Sequence, residues 1–200
     1  MGPIAVLGLQ GDVREHLATL EAIGVETVIA KKPEHLSGIS GFVIPGGEST
    51  VIDKLSRIFQ LREPIRELIS HGLPVFGTCA GLIMLADKIS DGIHDQQTFG
   101  GLDVVVRRNA FGSQVDSFET EIDFDSLGLV KAAFIRAPIV ESVGSGVSVL
   151  AKFEDSIVAV RQGNLLGISF HPEVVGETKV HEYFLEMCKS ANFKANNYNN

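Results

Sequence analysis

The sequence predicts a three-layer α/β fold, in which a mostly parallel central sheet is flanked by helices and followed by a strand-rich C-terminal half. Three observations lead there. Short continuous apolar runs at residues 4–9 and 41–45 have the composition of strands buried on both faces. These runs alternate with segments of helical spacing up to about residue 86, the pattern of a parallel sheet with crossover helices. After about residue 95, strand-like segments succeed one another with few helices between them.

Residues 4–9 form the first run. Gln10-Gly11 turns the chain, Asp12 can cap a helix, and Val13, Leu17, Leu20 and Ile23 recur on one face of that helix. Gly24 ends it and residues 25–30 read as a second strand. A third strand, residues 41–45, runs straight into Gly46-Gly47-Glu48-Ser49-Thr50. Ser49 or Thr50 can cap the next helix, in which Val51, Leu55 and Ile58 share a face. Pro64 sits near the first turn of another helix carrying Ile65, Leu68 and Ile69. Gly72 and Pro74 deliver the chain to a strand end at Val75-Phe76, and residues 80–86 start a helix. Further strands are expected at 102–106, 118–122, 132–135, 147–153, 157–161 and 165–170. Residues 180–188 have helical spacing through Phe184, Leu185 and Cys188, which makes Cys188 a packing residue. The polar, Asn-rich residues 194–200 are expected to fray, leaving 1–193 as one domain.

Composition narrows the function classes. Two hundred residues, 44% hydrophobic and 21% charged, are enough for a substantial core. A net charge of −8 with scattered basic residues argues against a nucleic-acid surface. No apolar stretch approaches the roughly 20 residues of a membrane helix, and the N-terminus does not resemble a signal sequence. Two cysteines, Cys79 and Cys188, make neither a disulfide framework nor a metal cluster. A reducing, cytoplasmic compartment is therefore expected, with no cofactor and no metal.

Three stretches carry chemistry. Gly77-Thr78-Cys79-Ala80-Gly81 is a G-x-C-x-G turn between strand and helix, the cysteine counterpart of a nucleophile elbow. Small residues at 77, 80 and 81 let the turn close, and a helix N-terminus favours a thiolate at Cys79. In Phe170-His171-Pro172-Glu173, Pro172 makes the backbone at His171 extended, so residues two apart point to one side. Glu173 can then orient His171, and an imidazole backed by a carboxylate is the partner a cysteine nucleophile needs. Gly46-Gly47 leaves backbone N–H groups open to an oxygen, and together with the N–H of Ala80 they form oxyanion-hole material. The spacing and lysine of a phosphate-binding Walker loop are absent. Each stretch taken alone also has a structural explanation: a buried cysteine, a surface His–Glu pair, a capped Gly-rich turn.

Together they resemble the class I glutamine amidotransferases, whose triad joins an elbow cysteine to the His and Glu of an H-P-E motif. Leu7-Gly8-Leu9-Gln10-Gly11, Arg108-Asn109-Ala110-Phe111-Gly112-Ser113-Gln114, Ser117-Phe118-Glu119 and Phe134-Ile135-Arg136-Ala137-Pro138 narrow the resemblance to the glutaminase subunit of pyridoxal 5′-phosphate synthase. It runs from about residue 4 to the C-terminal helix. The resemblance implies a flavodoxin-like sheet and a Cys79, His171, Glu173 triad, with Gly47 and Ala80 as the oxyanion hole. It also implies substrate contacts at Gly47, Glu48, Ser49, Arg108, Ile135 and Arg136, and a loop-positioning role for Gln10. The implied reaction is hydrolysis of L-glutamine to glutamate and ammonia through a glutamyl thioester. The implied partner is a (β/α)8-barrel synthase subunit in a large hetero-oligomer, which consumes the ammonia. Another class I amidotransferase subunit, or a catalytically silent module on this fold, are the competing readings.

Overall fold

The computed structural model describes residues 1–108, 117–191 and 193. Arg108 is the last described residue before the gap, so the rest of the R-N-x-F-G-x-Q stretch, from Asn109 to Gln114, lies outside the described residues. So does the 194–200 tail.

Among the described residues, all strands join one twelve-stranded sheet. Its parallel half is β1 (Ile4–Leu7), β2 (Thr27–Ala30), β3 (Gly41–Ile44), β4 (Val75–Thr78) and β12 (Leu165–Ile168). These lie side by side in the order β2-β1-β3-β4-β12. The last strand of the chain thus sits directly beside β4, with Gly167 opposite Gly77 and Ile168 opposite Thr78. The sheet continues antiparallel through β11 (Ser156–Gln162), β10 (Ser148–Phe153), β7 (Phe118–Phe124) and β8 (Gly128–Phe134). An offshoot of β5 (Ala86–Ile89), β6 (Leu102–Arg107) and β9 (Ile139–Val143) is tied in where β9 meets β11.

Alternation along the parallel strands divides the core into two layers. Ala5 and Leu7 of β1, with Phe42 and Ile44 of β3, face a cluster holding Ile52, Ile65 and Leu68. Those three come from α2 (Ser49–Ile58) and α3 (Arg62–Ser70). Ile4, Val6, Val43 and Phe76 face the other cluster, with Leu20 from α1 (Val13–Ala22) and Phe184 from α5 (Lys179–Ser190). Every residue of β1, β3, β4 and β12 is buried, so a continuous apolar run is what these strands require. The three-layer α/β expectation therefore agrees with the structure. Cys188 is a packing residue, against Gly41 and close to Phe184: a Cβ on Gly41 would meet the Cys188 sulfur at 2.6 Å. No helix among the described residues is long and apolar enough to cross a membrane.

Local expectations need correction in four places. The helix after the elbow, α4 (Ala80–Leu85), stops after six residues and passes directly into β5, because Ala86 pairs with Leu102. Ser49 and Thr50 are inside α2 rather than capping it; Glu48 is the N-cap residue and makes no side-chain cap bond. Asp12 likewise makes no cap bond to α1. Pro172 is helical (φ −68°, ψ −32°) and opens a 3-10 turn at Glu173–Val175, so the chain is not extended across His171 to Glu173. His171 itself is bridged to Ala133, its N–H donating to the Ala133 carbonyl at 2.8 Å.

Candidate active site

The site stands at the C-terminal ends of β1, β3, β4 and β12, where open α/β sheets place their ligands. Cys79 comes directly after β4 in a backbone conformation few non-glycine residues adopt, φ 49° and ψ −101°. Conformations of this kind cost about 1–3 kcal/mol and persist only where their surroundings fix them. Here the Cys79 N–H donates to the Ile168 carbonyl of β12 at 2.8 Å. The helix presses close behind. A Cβ at Gly77 would stand 2.9 Å from the Leu82 nitrogen, and one at Gly81 would stand 2.9 Å from the Ile44 carbonyl carbon. The glycines at 77 and 81 are therefore steric requirements of the elbow, as its motif suggested.

β12 carries the chain to His171 and Glu173, both buried. His171 Nδ1 lies 2.8 Å from Glu173 Oε1, and Cys79, whose thiol donates to the Ile135 carbonyl at 4.0 Å, is close enough to the same ring to raise its pKa. The helical turn at Pro172, rather than extended backbone, folds the carboxylate back under the imidazole. Burial pulls the His171 imidazole down, but the hydrogen bonds and charges of Cys79 and Glu173 outweigh it and raise it from 6.5 to about 10. Burial pushes the Glu173 carboxyl up, and the His171 contact opposes that rise. Both groups are thus shifted up, His171 toward the imidazolium by its partners and Glu173 toward the neutral acid by burial, while the short bond between them favours the imidazolium–carboxylate pair. Asp12 Oδ2 stands 3.4 Å from the same His171 nitrogen, a second carboxylate that the sequence presented only as a helix cap.

The loop after β3 reaches over this pair. Gly46 admits no side chain, because a Cβ there would meet His171 and Asp12. Gly47 has φ 148°, and a Cβ on it would run into the Gln10 side chain. Gln10 Oε1 accepts the Glu48 backbone N–H at 2.8 Å, so it ties the β1 turn to this loop. Ala80 is the first residue of α4, directly after the nucleophile.

A narrow cavity of about 50 Å³ opens beside the sulfur. Six of the lining residues, Gly47, Glu48, Ser49, Arg108, Ile135 and Arg136, are those the family resemblance assigns to substrate; Ile83 is the addition. The volume is well below the roughly 300–1,000 Å³ of ordinary ligand pockets. Glu48 and Arg136, both more than half exposed, form an ion pair at 3.6 Å. Arg108 donates to Gln96 Oε1 at 3.2 Å, and the Gln96 amide donates to Ser49 Oγ at 2.9 Å. Gln96 was not visible in the sequence: it sits in a polar loop, 47 residues from Ser49, with no motif around it. A larger open depression of about 490 Å³ beside Arg62, Arg66 and Lys88 is lined by no cysteine and no histidine among the described residues.

Behind the elbow lies a further feature that sequence reading missed. His16 of α1 and His181 of α5 are fully buried, and their rings meet at 2.9 Å, Nδ1 to Nε2. His16 Nε2 is 3.0 Å from Thr78 Oγ1 and 3.4 Å from Glu173 Oε1. The available signal was spacing. His16 lies four residues before Leu20, and His181 three before Phe184, both on the apolar stripes of their helices.

Chemically, the arrangement offers a thiol, an imidazole and a carboxylate in sequence, a glycine loop opposite, and a charged cavity of amino-acid polarity. Comparison with known proteins agrees in kind. Residues 6–190 match the SNO glutamine amidotransferase family. The pyridoxal 5′-phosphate synthase subunit PdxT of Clavibacter sepedonicus is 61% identical over 194 residues, covering 95% of this chain and 93% of that protein. The PdxT subunit of Leifsonia xyli subsp. xyli is 59% identical over 185 residues, covering 91% and 93%. A solved structure described as a glutamine amidotransferase superposes with a TM-score of 0.89 at 45% identity, covering 94% of this chain and all of that one.

Proposed function

The chain belongs to the SNO glutamine amidotransferase family, and on that premise we propose that it is the glutaminase subunit of a pyridoxal 5′-phosphate synthase. Its substrate is L-glutamine, and Cys79, His171 and Glu173 are its triad. The α-ammonium of glutamine takes Glu48, and its α-carboxylate takes a guanidinium from Arg108 or Arg136. A zwitterion entering the cavity replaces the Glu48–Arg136 pair with two ligand contacts of the same charge pattern.

The Cys79 thiolate attacks the side-chain amide carbon, and the oxyanion is received by the N–H groups of Gly47 and Ala80. The His171 imidazolium, held by Glu173, gives its proton to the departing nitrogen. The C–N bond breaks, ammonia leaves and a γ-glutamyl thioester remains. Neutral His171 then takes a proton from water, and the hydroxide attacks the thioester carbon. The C–S bond breaks, glutamate is released, and thiolate and imidazolium are restored. In bulk water near neutral pH, ammonia is mostly the non-nucleophilic ammonium ion. Delivery into a docked (β/α)8-barrel synthase subunit, within a hetero-oligomer, keeps it neutral. Both cysteines are free thiols, and the nucleophile must stay reduced, which suits the cytoplasm.

The observation that supports this reading most is the buried His171–Glu173 contact at 2.8 Å with Cys79 close enough to the same imidazole to raise its pKa, although more than ninety residues of chain separate the cysteine from the pair. The test is glutamate release from glutamine with the synthase present, native chain against Cys79→Ala. Loss of release in the variant is expected; equal rates would overturn the assignment.

A further inference from the structure

We propose that His16 is a positioning residue for the triad: its Nε2–H holds Glu173 from behind while His181 fixes the tautomer that makes this possible. The proposal rests on the triad reading above.

Hydrogen-bond accounting selects the tautomer. Each ring is buried, and among the described residues the polar partners of the pair are Thr78 Oγ1, Glu173 Oε1 and each other. His181 Nδ1 is buried without a partner. If His16 carried its proton on Nδ1 and gave it to His181 Nε2, His181 would hold its own proton on Nδ1, where nothing accepts it. His16 would also turn a lone pair toward the Glu173 carboxylate at 3.4 Å. The opposite assignment removes both faults. His181 Nε2–H donates to His16 Nδ1, and His16 Nε2–H points at Thr78 Oγ1 and Glu173 Oε1. The stranded atom is then only an imine lone pair.

A directed chain results, from His181 through His16 to Thr78 Oγ1, with the His16 N–H edge also 3.4 Å from Glu173 Oε1, which accepts from His171 Nδ1 at 2.8 Å. One carboxylate oxygen thus has an imidazole N–H edge on either side, hydrogen-bonded from His171 and at 3.4 Å from His16, while Glu173 Oε2 is buried with no partner among the described residues. Without His16, the buried carboxylate would lose the N–H edge on that side, and the site would hold its negative charge less well. The groups facing this oxygen and the ring it serves come from every neighbouring element. They are Asp12 from the β1 turn, His16 from α1, Thr78 and Cys79 at the end of β4, and His181 from α5. Phe76 places its ring edge-on to both histidines, at 6.1 and 5.3 Å between centroids, and excludes water there. Burial, followed by the charges of His181 and His171, holds His16 well below 6.5, consistent with a neutral donor.

Two measurements test this. Nitrogen-15 NMR of the native full chain reads the tautomers directly: His16 and His181 should both be neutral Nε2–H forms from about pH 6 to 9. An Nδ1–H His16, or a His16 that titrates in that range, overturns the proposal. The second is the pH profile of glutaminase kcat/KM with the synthase present. In His16→Phe the acid limb should move up by about one pH unit, a roughly tenfold loss of rate below it. KM should stay near native. His16→Gln, which keeps an amide donor at the Nε2 position, should return the limb to its native place. An even loss of rate at all pH values in His16→Phe, or a limb equally displaced in His16→Gln, reduces His16 to core packing and overturns the proposal. Should His16→Phe not fold, the native tautomers and the His16→Gln profile decide. If the native pair releases no glutamate at all, the glutaminase reading fails, whereas the tautomer measurement still judges the His16–Glu173 contact.

Discussion

Replacing Gly46 by alanine should disable the site while leaving the fold standing. Gly46 is not among the positive-φ glycines, so the backbone there is open to an L residue and space alone decides. An added methyl carbon would stand 3.0 Å from His171 Nδ1 and 2.7 Å from Asp12 Oδ2, with the ring carbon Cε1 nearer still. Comfortable non-bonded contacts of carbon begin at about 3.5 Å, so the imidazole must retreat by about 1 Å or the loop must lift by as much. Displacements of that size in a positioned catalytic group lower rates about 100-fold. Overpacking costs about 1–3 kcal/mol, which in a domain of this length lowers Tm by roughly 2–12 °C. The assay is glutamate release with the synthase at saturating glutamine, beside a thermal melt of the same preparation. We expect kcat to fall about 100-fold, with KM within about threefold and a cooperative melt. A kcat within threefold of native would show that the loop does not abut the imidazole, and the proximity argument would fail.

Other perturbations rest on the same geometry. Gln10→Ala strands the Glu48 N–H and should lower kcat about tenfold with a loss of about 1 kcal/mol in urea unfolding; an unchanged kcat would remove Gln10 from loop positioning. Gln96→Ala removes a partner from both Ser49 and Arg108, whose guanidinium keeps only Asp91 among the described residues, and should raise KM for glutamine with little change in kcat, as steady-state kinetics will show. Stability should also depend on pH from both sides. His171 is raised to about 10 in the fold, so its contribution is full below about 6.5 and is lost as pH climbs through 10. His181 is lowered to about 4, so its contribution is present above about 6.5 and is lost as pH falls toward 4. Urea melts across this range should give a maximum near pH 6.5, with the alkaline slope flattened in Cys79→Ala and the acid slope flattened in His181→Phe.

Much of the parallel half could be read from sequence because its strands are wholly buried and bounded by glycine and proline. Strands β1, β3 and β4 appear as apolar runs, and the turns after them as Gly-rich motifs. The offshoot was harder. Nothing separates Leu85 from Ala86 chemically, so an apolar helix passes into β5 without a break in composition. In β9, Glu141 and Ser142 interrupt the apolar pattern, and the strand exists because β6 and β11 pair with it. The start of β8 was hidden by Leu129, an exposed leucine on a strand whose other early residues are mostly polar or small. Around the sulfur, motifs pointed to residues that the structure gathers about one cavity. The buried histidines and Gln96 carry no motif; their partners lie 12 to 165 residues away, and only the folded chain brings them together.

The placement of β12 also bears on how the molecule is made. β4 and the cysteine at its tip leave the ribosome nearly ninety residues before the strand that will flank them. Until residues 165–168 emerge, β4 presents an unpaired edge, and unpaired edges invite association with other chains. The same delay has a protective side. With the triad proposed above, a nascent chain has no His171 beside its thiol, so it would not consume glutamine and shed ammonia before there is a finished subunit to hand it on.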